Sequence, residues 1–259
     1  MLIAQLTDTH VMLPGTSRFF MGDTFAHLRR AVAFINRLAP APDAAVVTGD
    51  LADTGNPQEY ERVRAALLAL RCPAYVIPGN HDRRSALRAA FEPDGYLPRG
   101  DGPLHYAVDR FPVRIVGFDS IRPGFSGGAA SGESLAWLEA TLASEAERPT
   151  LLCMHHPPFR TGMHYMDALG FVGLSNLGAV LARNRHVRLI VSGHVHRTVR
   201  SECGGIPART ARSTAPQVVP ELFERRPFWI RRERPSVTLH AWDSAAGGFV
   251  SRDLTVERR

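Results

Sequence analysis

"AYVIPGNHD", Ala74 to Asp82, is an apolar run that passes directly into glycine and three polar side chains, Asn80, His81 and Asp82. The aromatic and β-branched residues of Ala74–Ile77 favour a strand, and Pro78 and Gly79 stop it. A buried strand that ends on an amide, an imidazole and a carboxylate is delivering them to something. What that is depends on what else the chain brings to the same place.

Upstream, Asn56-Pro57 opens a helix predicted to run to about Leu70, with Pro57 at its first position. "AAVVTGDL", Ala44 to Leu51, is the strand before it. Phe25, Leu28, Val32, Ile35 and Leu38 recur at helical spacing over Thr24–Leu38, with Asp23 as N-cap, and "LIAQL" is the first strand. Strand, helix, strand, helix, strand predicts βαβ crossovers and parallel pairing. Downstream the rhythm changes. "LHYAVD" and "VRIVGFDS" form a hairpin linked at Phe111-Pro112, Gly132–Glu145 is helical, "TLLCMHHPP" is a strand stopped by Pro157 and Pro158, Leu174–Asn184 is helical and "VRLIVSGHVH" is a strand. From Val199 onward the chain is β-rich: "TVRSEC", "IPARTA", "SVTLHAW" and "GFVSRDLTV". The mixture predicts a central β-sandwich flanked by helices, in the α/β class.

Five of these strands end in metal-ligand residue types: Asp8 and His10; Asp50; Asn80, His81 and Asp82; His155 and His156; His194 and His196. Strand C-termini of an open α/β sheet line one edge, where ligands bind. Gly49, Gly79 and Gly193 each precede a candidate ligand, which permits a sharp exit from the strand. Singly, Asp-x-His or Gly-Asp reads as a turn and His-His-Pro-Pro as a capped strand end. Together they predict a nitrogen and oxygen site, poor in thiolate, suited to hard or borderline divalent ions.

The bulk numbers exclude other chemistries. The chain has 259 residues, a formal charge of +6 and no lysine, so it carries neither a Schiff-base former nor a P-loop cation. There is no GxGxxG after a strand. No run approaches the roughly 18 apolar residues of a membrane span. Three cysteines, Cys72, Cys153 and Cys203, form no CxxC pair. With no export signal in "MLIAQLTDTH", a cytoplasmic location is expected.

The ordered series Asp8-x-His10, Gly49-Asp50, Gly79-Asn80-His81-Asp82, His155-His156 and Gly193-His194-x-His196 resembles the calcineurin-like metallophosphoesterases. "LTDTH", "VVTGDL", "YVIPGNHD", "MHHPP" and "SGHVH" look most like the bacterial branch of cyclic-nucleotide phosphodiesterases and glycerophosphodiesterases, and the likeness spans Met1 to about Thr198. Pro78 supports that branch, because the protein serine/threonine phosphatases carry arginine there.

The resemblance implies a four-layer α/β/β/α sandwich and two divalent ions, Fe, Mn, Zn or Co. Asp8, His10 and His196 would hold one ion, Asn80, His155 and His194 the other, and Asp50 would bridge them. Catalysis would rest on Asp50 and on His81, which approaches the substrate's phosphate or leaving group without ligating metal. Asp82 and His156 would orient imidazoles from behind. The implied reaction is hydrolysis of 3′,5′-cAMP-like cyclic nucleotides or small phosphodiesters by hydroxide activated between the ions. Glycerophosphodiester hydrolysis is the alternative, and a nuclease, a phosphomonoesterase and a non-catalytic scaffold are less favoured. Residues 1–200 would form the catalytic core. Residues 201–259 would form a β-rich part that completes the sandwich and serves as a cap or an oligomer contact.

Substrate choice falls to the loops, Val11–Asp23 and Phe159–Gly170. Arg83, Arg160 and Arg197 each follow a motif closely and are candidates for phosphate contact, with His164 and Tyr165 as candidates to stack on or hydrogen-bond a substrate group. The arginine-rich segment Glu221–Arg234 contains Phe223, Phe228 and Trp229 and is the one feature that favours nucleic acid. An oligomer contact or a solvated cap is the preferred reading of it. The expected partners are a small phosphodiester and a second copy of the chain, with no membrane.

Overall fold

The computed structural model describes residues 1–16, 21–219 and 230–257. The N-terminal third is the βαβαβ unit that the hydrophobic periodicity predicts: β1 (Leu2–Leu6), α1 (Thr24–Ile35), β2 (Ala44–Thr48), α2 (Pro57–Leu67) and β3 (Ala74–Ile77). The three strands are parallel, with β2 between β1 and β3. The Asp23 side chain accepts the Ala26 N–H to cap α1. At α2, Asn56 and Glu59 form a reciprocal capping box with Pro57 behind the cap. Both helices stop three residues earlier than their apolar pattern suggests. Leu38 and Leu70 instead bond back to the carbonyls of Ile35 and Leu67, which closes each helix with a tighter turn.

A third helix, α3 (Arg84–Phe91), starts immediately after Asp82 and Arg83, and a short 3-10 turn follows it at Glu92–Asp94. Next come the antiparallel hairpin β4 (Tyr106–Val108) and β5 (Arg114–Phe118), then β6 (Gly128–Ala129), α4 (Gly132–Ala143), β7 (Thr150–Met154), α5 (His164–Leu169), β8 (Phe171–Val172), α6 (Leu174–Arg183) and β9 (Val187–Ser192). The β-rich remainder supplies β10 (Arg200–Cys203), β11 (Ile206–Thr210), β12 (Gln217–Val218), β13 (Ile230–Arg231), β14 (Ser236–Asp243) and β15 (Gly248–Thr255).

Two large sheets result, in the orders β15-β14-β1-β2-β3 and β10-β11-β9-β7-β5-β4, beside the two-stranded pairs β12-β13 and β6-β8. Alternation along the strands decides what each face meets. Ile3, Val46 and Ile77 face inward and share a core with Ile115, Leu151 and Cys153 of the second sheet. Their neighbours Ala4, Leu6, Val47 and Val76 face outward, onto Leu28 and Val32 of α1, Val63 of α2 and Leu87 of α3. Leu135 and Leu138 of α4, with Leu177 and Val180 of α6, cover the second sheet. The architecture is therefore a four-layer α/β/β/α sandwich. Its parallel strands β1, β2, β3, β7 and β9 all run into the candidate ligand motifs.

Candidate metal centre

The motif turns are bonded to one another where their strands end. Asp8 N–H donates to the Gly49 carbonyl (3.0 Å), His10 N–H to that of Asp50 (2.9 Å) and Gly193 N–H to that of His155 (3.0 Å). These bonds hold the turns in an unusual shape. Among the described residues only five non-glycine residues have φ in the left-handed region: Asp8 (48°), His10 (41°), Asp50 (49°), His194 (70°) and His196 (53°). Each such residue costs on the order of 1 kcal/mol, and such strain concentrates at functional sites. All five are candidate ligands. The left-handed turn swings each side chain off its strand and over the sheet edge.

The preceding glycines serve this in different ways. Gly49 has φ of 88°, a true sharp exit. Gly79 and Gly193 lie outside the left-handed region and are needed for close approach instead. A Cβ on Gly79 would fall 2.2 Å from Asp50 Oδ1, and one on Gly193 would fall 1.9 Å from Thr7 Oγ1.

The converging side chains form overlapping groups. Asp8, His10 and His196 offer ligand atoms within 4.8 Å of one another, as do Asp8, Asp50 and His155, and also His155, His156 and His194. Asn80 Oδ1 lies 3.1 Å from His155 Nε2. Asp50 Oδ2 faces both groups, 3.6 Å from His10 Nε2 and 3.4 Å from His155 Nε2. Asp50 Oδ1 is held by the His81 N–H (2.9 Å), and Asp8 by the His194 N–H and the Thr7 hydroxyl.

The donor set fits divalent cations. His155 Nδ1 donates to the Thr48 carbonyl (2.8 Å) and His196 Nδ1 to the Pro216 carbonyl (2.6 Å). A carbonyl can only accept, so both rings carry their proton on Nδ1 and turn a lone pair inward at Nε2. His196 Nε2 then faces His10 Nε2 at 3.2 Å and Asp8 Oδ1 at 3.4 Å. Lone pairs and carboxylates at that separation repel unless positive charge lies among them. The titration behaviour carries the same sign. Burial alone would lower His155, yet the Asp50 and Asp8 carboxylates override it and raise the imidazole to about 9. His196 is raised in the same way by Asp8 against its burial. His194, buried beside His156 and His155, is pushed well down and stays neutral.

His81 does not point its Nδ1 inward. That atom donates to the Asp53 carbonyl (2.9 Å), and the ring packs edge-on against His10. His156 is buried, with Nδ1 2.9 Å from the Ser120 hydroxyl, and its ring lies against His155 and His194. Asp82 orients backbone rather than an imidazole. It accepts the N–H groups of Gly79 (2.8 Å), Leu51 (3.1 Å) and Ala52 (3.1 Å) and the Tyr60 hydroxyl (3.1 Å). Asp53, absent from the sequence-based set, takes the orienting position at His10, with Oδ1 3.3 Å from Nδ1. Its place three residues after Asp50 was a usable signal, whereas the Thr48 and Pro216 carbonyls carry none.

Above the cluster lies a hollow of about 200 Å³, floored by His10, Asp50, Asn80, His81, His194 and His196 and walled by Met21, Tyr165, Leu169, Val218 and Ile230. Of the candidate substrate contacts, Tyr165 lines this hollow, while His164 is exposed on α5 and does not. Arg160 lines a neighbouring hollow with His156 and His194. Arg83 lines a cavity on the Asn80 side. The Arg197 guanidinium is already engaged, by Glu233 (2.8 and 3.2 Å) and the Val218 carbonyl. Glu233 also pairs with Arg212 and so ties the segment after β13 to the last motif. Residues 17–20 of the first loop and 221–229 of the arginine-rich segment, including Phe223, Phe228 and Trp229, lie outside the described residues.

The family model for calcineurin-like phosphoesterases matches residues 1–198. The chain belongs to this family. Among calcineurin-like relatives, a probable glycerophosphodiester phosphodiesterase, GpdQ, of Arcobacter nitrofigilis is 34% identical over 248 residues, covering 95% of this chain and 90% of the relative. A probable cyclic nucleotide phosphodiesterase of Rhodopseudomonas palustris is 37% identical over 222 residues, covering 84% and 79%. A 3′,5′-cyclic adenosine monophosphate phosphodiesterase, CpdA, of Pseudomonas aeruginosa is 30% identical over 219 residues, covering 85% and 78%. A dimetal phosphatase from Danio rerio has the same fold, with a TM-score of 0.66 at 14% identity over 99% of both chains. Among the described residues no helix is long and apolar enough to cross a membrane.

Proposed function

We propose that this protein is a binuclear metal-dependent phosphodiesterase that cleaves 3′,5′-cyclic nucleotides or small phosphodiesters. The observation that carries this reading is the Asp50 carboxylate, whose one free oxygen faces an imidazole of each ligand group. In the reading, Asp8, His10 and His196 hold one ion, Asn80, His155 and His194 hold the other, and Asp50 serves both. Fe, Mn, Zn and Co all suit this donor set. When bound, such ions supply Lewis acidity, withdrawing charge from phosphoryl oxygens and lowering the pKa of water.

The protein's own groups do the rest. The carbonyls of Thr48 and Pro216 and the carboxylate of Asp53 fix three imidazoles before any ion arrives, so binding needs little reordering. His81 is anchored at Nδ1 and turns Nε2 toward the hollow, where the doubly protonated ring presents an N–H that can protonate the departing alkoxide. The apolar wall of Met21, Leu169, Val218 and Ile230 displaces water from one side of the substrate. Residues 1–200 carry the ligand side chains, Asp53 and His81, and residues 201–259 add strands to both large sheets and supply Val218 and Ile230 to the wall. Three free thiols, Cys72, Cys153 and Cys203, suit a reducing compartment, which is the ground for placing the protein in the cytoplasm.

Glycerophosphodiester hydrolysis is the second reading, supported by the 34% identity to the Arcobacter GpdQ over nearly the whole chain. Elemental analysis of the purified protein, with hydrolysis of cAMP, 2′,3′-cAMP, glycerophosphocholine and bis(p-nitrophenyl) phosphate, tests both. Asp50→Asn is expected to lose metal and to lower turnover by about 100-fold or more. Undiminished turnover after exhaustive chelation would overturn the proposal.

A further inference from the structure

We propose that the cavity beside the metal centre is a second anion subsite, which takes a phosphate group carried on the alcohol portion of the substrate. The inference rests on the phosphodiesterase reading and narrows its substrate class to diesters that bear an additional phosphate.

The cavity measures about 520 Å³, within the roughly 300–1,000 Å³ of small-molecule sites. It lies between the start of α3 and the loop after β5. Asn80 and Ser126 line both this cavity and the hollow over the ligand cluster, so one molecule can occupy the two together.

Four arginines line the cavity: Arg83, Arg84, Arg88 and Arg122. Two of them build its walls. Arg84 grips Asp119 at 2.6 and 3.0 Å and the Ile121 carbonyl at 3.0 Å. Arg88 donates to the carbonyls of Pro98 (3.0 Å) and Gly102 (2.6 Å). The guanidinium groups of Arg83 and Arg122 are exposed and make no hydrogen bond or ion pair among the described residues. Both are nevertheless positioned. The Arg83 stem lies directly on the Gly55 backbone, where a Cβ would fall 2.6 Å from its Cγ. Arg122 stacks its face on Phe125, 3.6 Å from the ring centroid, which leaves the N–H edge of its planar fork for an oxyanion.

The charge distribution favours an anion. α3 has Arg83 as N-cap with no capping side chain, and no acidic residue in its first turn. The positive end of the helix adds to the field of these cations, and an anion placed among them is stabilised by both. The two carboxylates lining the cavity do not supply it. Asp82 is committed to three backbone N–H groups, and Asp101 is exposed to solvent at the cavity rim. Two planar forks and a helix start match the several oxygens of a phosphate.

The test is titration calorimetry on the metal-loaded protein with AMP and with adenosine 3′,5′-bisphosphate. These probes differ by one phosphate. The bisphosphate is expected to bind about tenfold tighter or better. Arg122→Ala and Arg83→Gln are each expected to shrink that ratio to about threefold or less, with Arg122→Lys intermediate because it keeps charge without the fork. Far-UV circular dichroism checks that each variant is folded. Equal affinity for the two probes, or a ratio that survives both substitutions, overturns the subsite. Inorganic phosphate separates the two sources of the anion: if it tightens AMP binding while the bisphosphate gains nothing, the cavity serves free phosphate and the substrate-borne proposal is wrong. Bis(p-nitrophenyl) phosphate turnover, followed on the same samples, reports on the phosphodiesterase reading separately from the binding ratio.

Discussion

At the scale of single residues, the site combines chemistry that a sequence displays with strain that it hides. Asp8, His10, Asp50, Asn80, His155, His194 and His196 were legible because each ends a strand whose apolar run is unmistakable. The left-handed turns at five of these positions were not, because non-glycine residues enter that region only when the surrounding structure forces them. The glycines misled in part, since two of the three are there for proximity rather than for φ. Gly79→Ala measures the distinction. Its Cβ would lie 2.2 Å from Asp50 Oδ1 and 2.4 Å from Asp50 N, so the Asp50 carboxylate must move. We expect a loss of about 1–3 kcal/mol in urea unfolding of the metal-free protein, together with reduced metal content. Gly132→Ala, at the start of α4 with nothing within 4 Å of the added methyl, should leave both unchanged. Wild-type metal content in Gly79→Ala would show that the close approach is incidental.

At the scale of elements, α1, α2, α4 and α6 announced themselves by 3.6-residue periodicity, whereas α3 and α5 did not. α3 begins directly behind the Gly79–Asp82 motif and buries only Leu87 and Phe91. α5 has six residues and one buried side chain, Met166. Both are short, α3 with an apolar stripe of only two buried side chains and α5 with one, and the loop reading of Phe159–Gly170 missed the second for that reason. The tie that sets α3 against α2 is Tyr60. Its fully buried hydroxyl donates to Asp82 Oδ1 (3.1 Å) and accepts the Arg83 N–H (2.8 Å) at the first turn of α3. Tyr60→Phe leaves a buried donor and a buried carboxylate oxygen short of a partner. A loss of about 1–3 kcal/mol is expected in equilibrium unfolding. Because Asp82 holds the N–H groups of Gly79, Leu51 and Ala52, metal affinity should fall with it. A variant as stable as the parent would show that water replaces the hydroxyl.

At the scale of the molecule, the two sheets are joined beneath the site by a buried polar chain that hydrophobic patterning could not reveal. Ser251 Oγ lies 2.8 Å from His240 Nδ1, His240 Nε2 3.0 Å from Gln5 Oε1, and Gln5 Nε2 reaches Thr48 Oγ1 (2.8 Å) and the Ser192 carbonyl (3.1 Å) at the end of β9. "SVTLHAW" reads simply as a strand, yet its histidine is fully buried between the sheets. Burial, with the nearby Arg209 charge adding to it, lowers His240 to about 3. The folded protein therefore keeps this ring neutral down to about pH 3, while the unfolded chain protonates it near pH 6.5. Between those values the unfolded state binds more protons, so stability is complete above about pH 6.5 and is lost as pH falls, by roughly 1.4 kcal/mol per pH unit from this group. His105, lowered to about 4 chiefly by burial, adds a loss of the same sign over a narrower range. His240→Gln removes one of these protons. The variant should be less stable than wild type at pH 7.5, where the packed imidazole is already neutral, and should close the gap by about 2 kcal/mol on going to pH 5. Urea midpoints of chelated samples across that range give the slope. Parallel pH profiles for variant and wild type would mean that His240 takes up its proton within the fold and that acid sensitivity arises elsewhere.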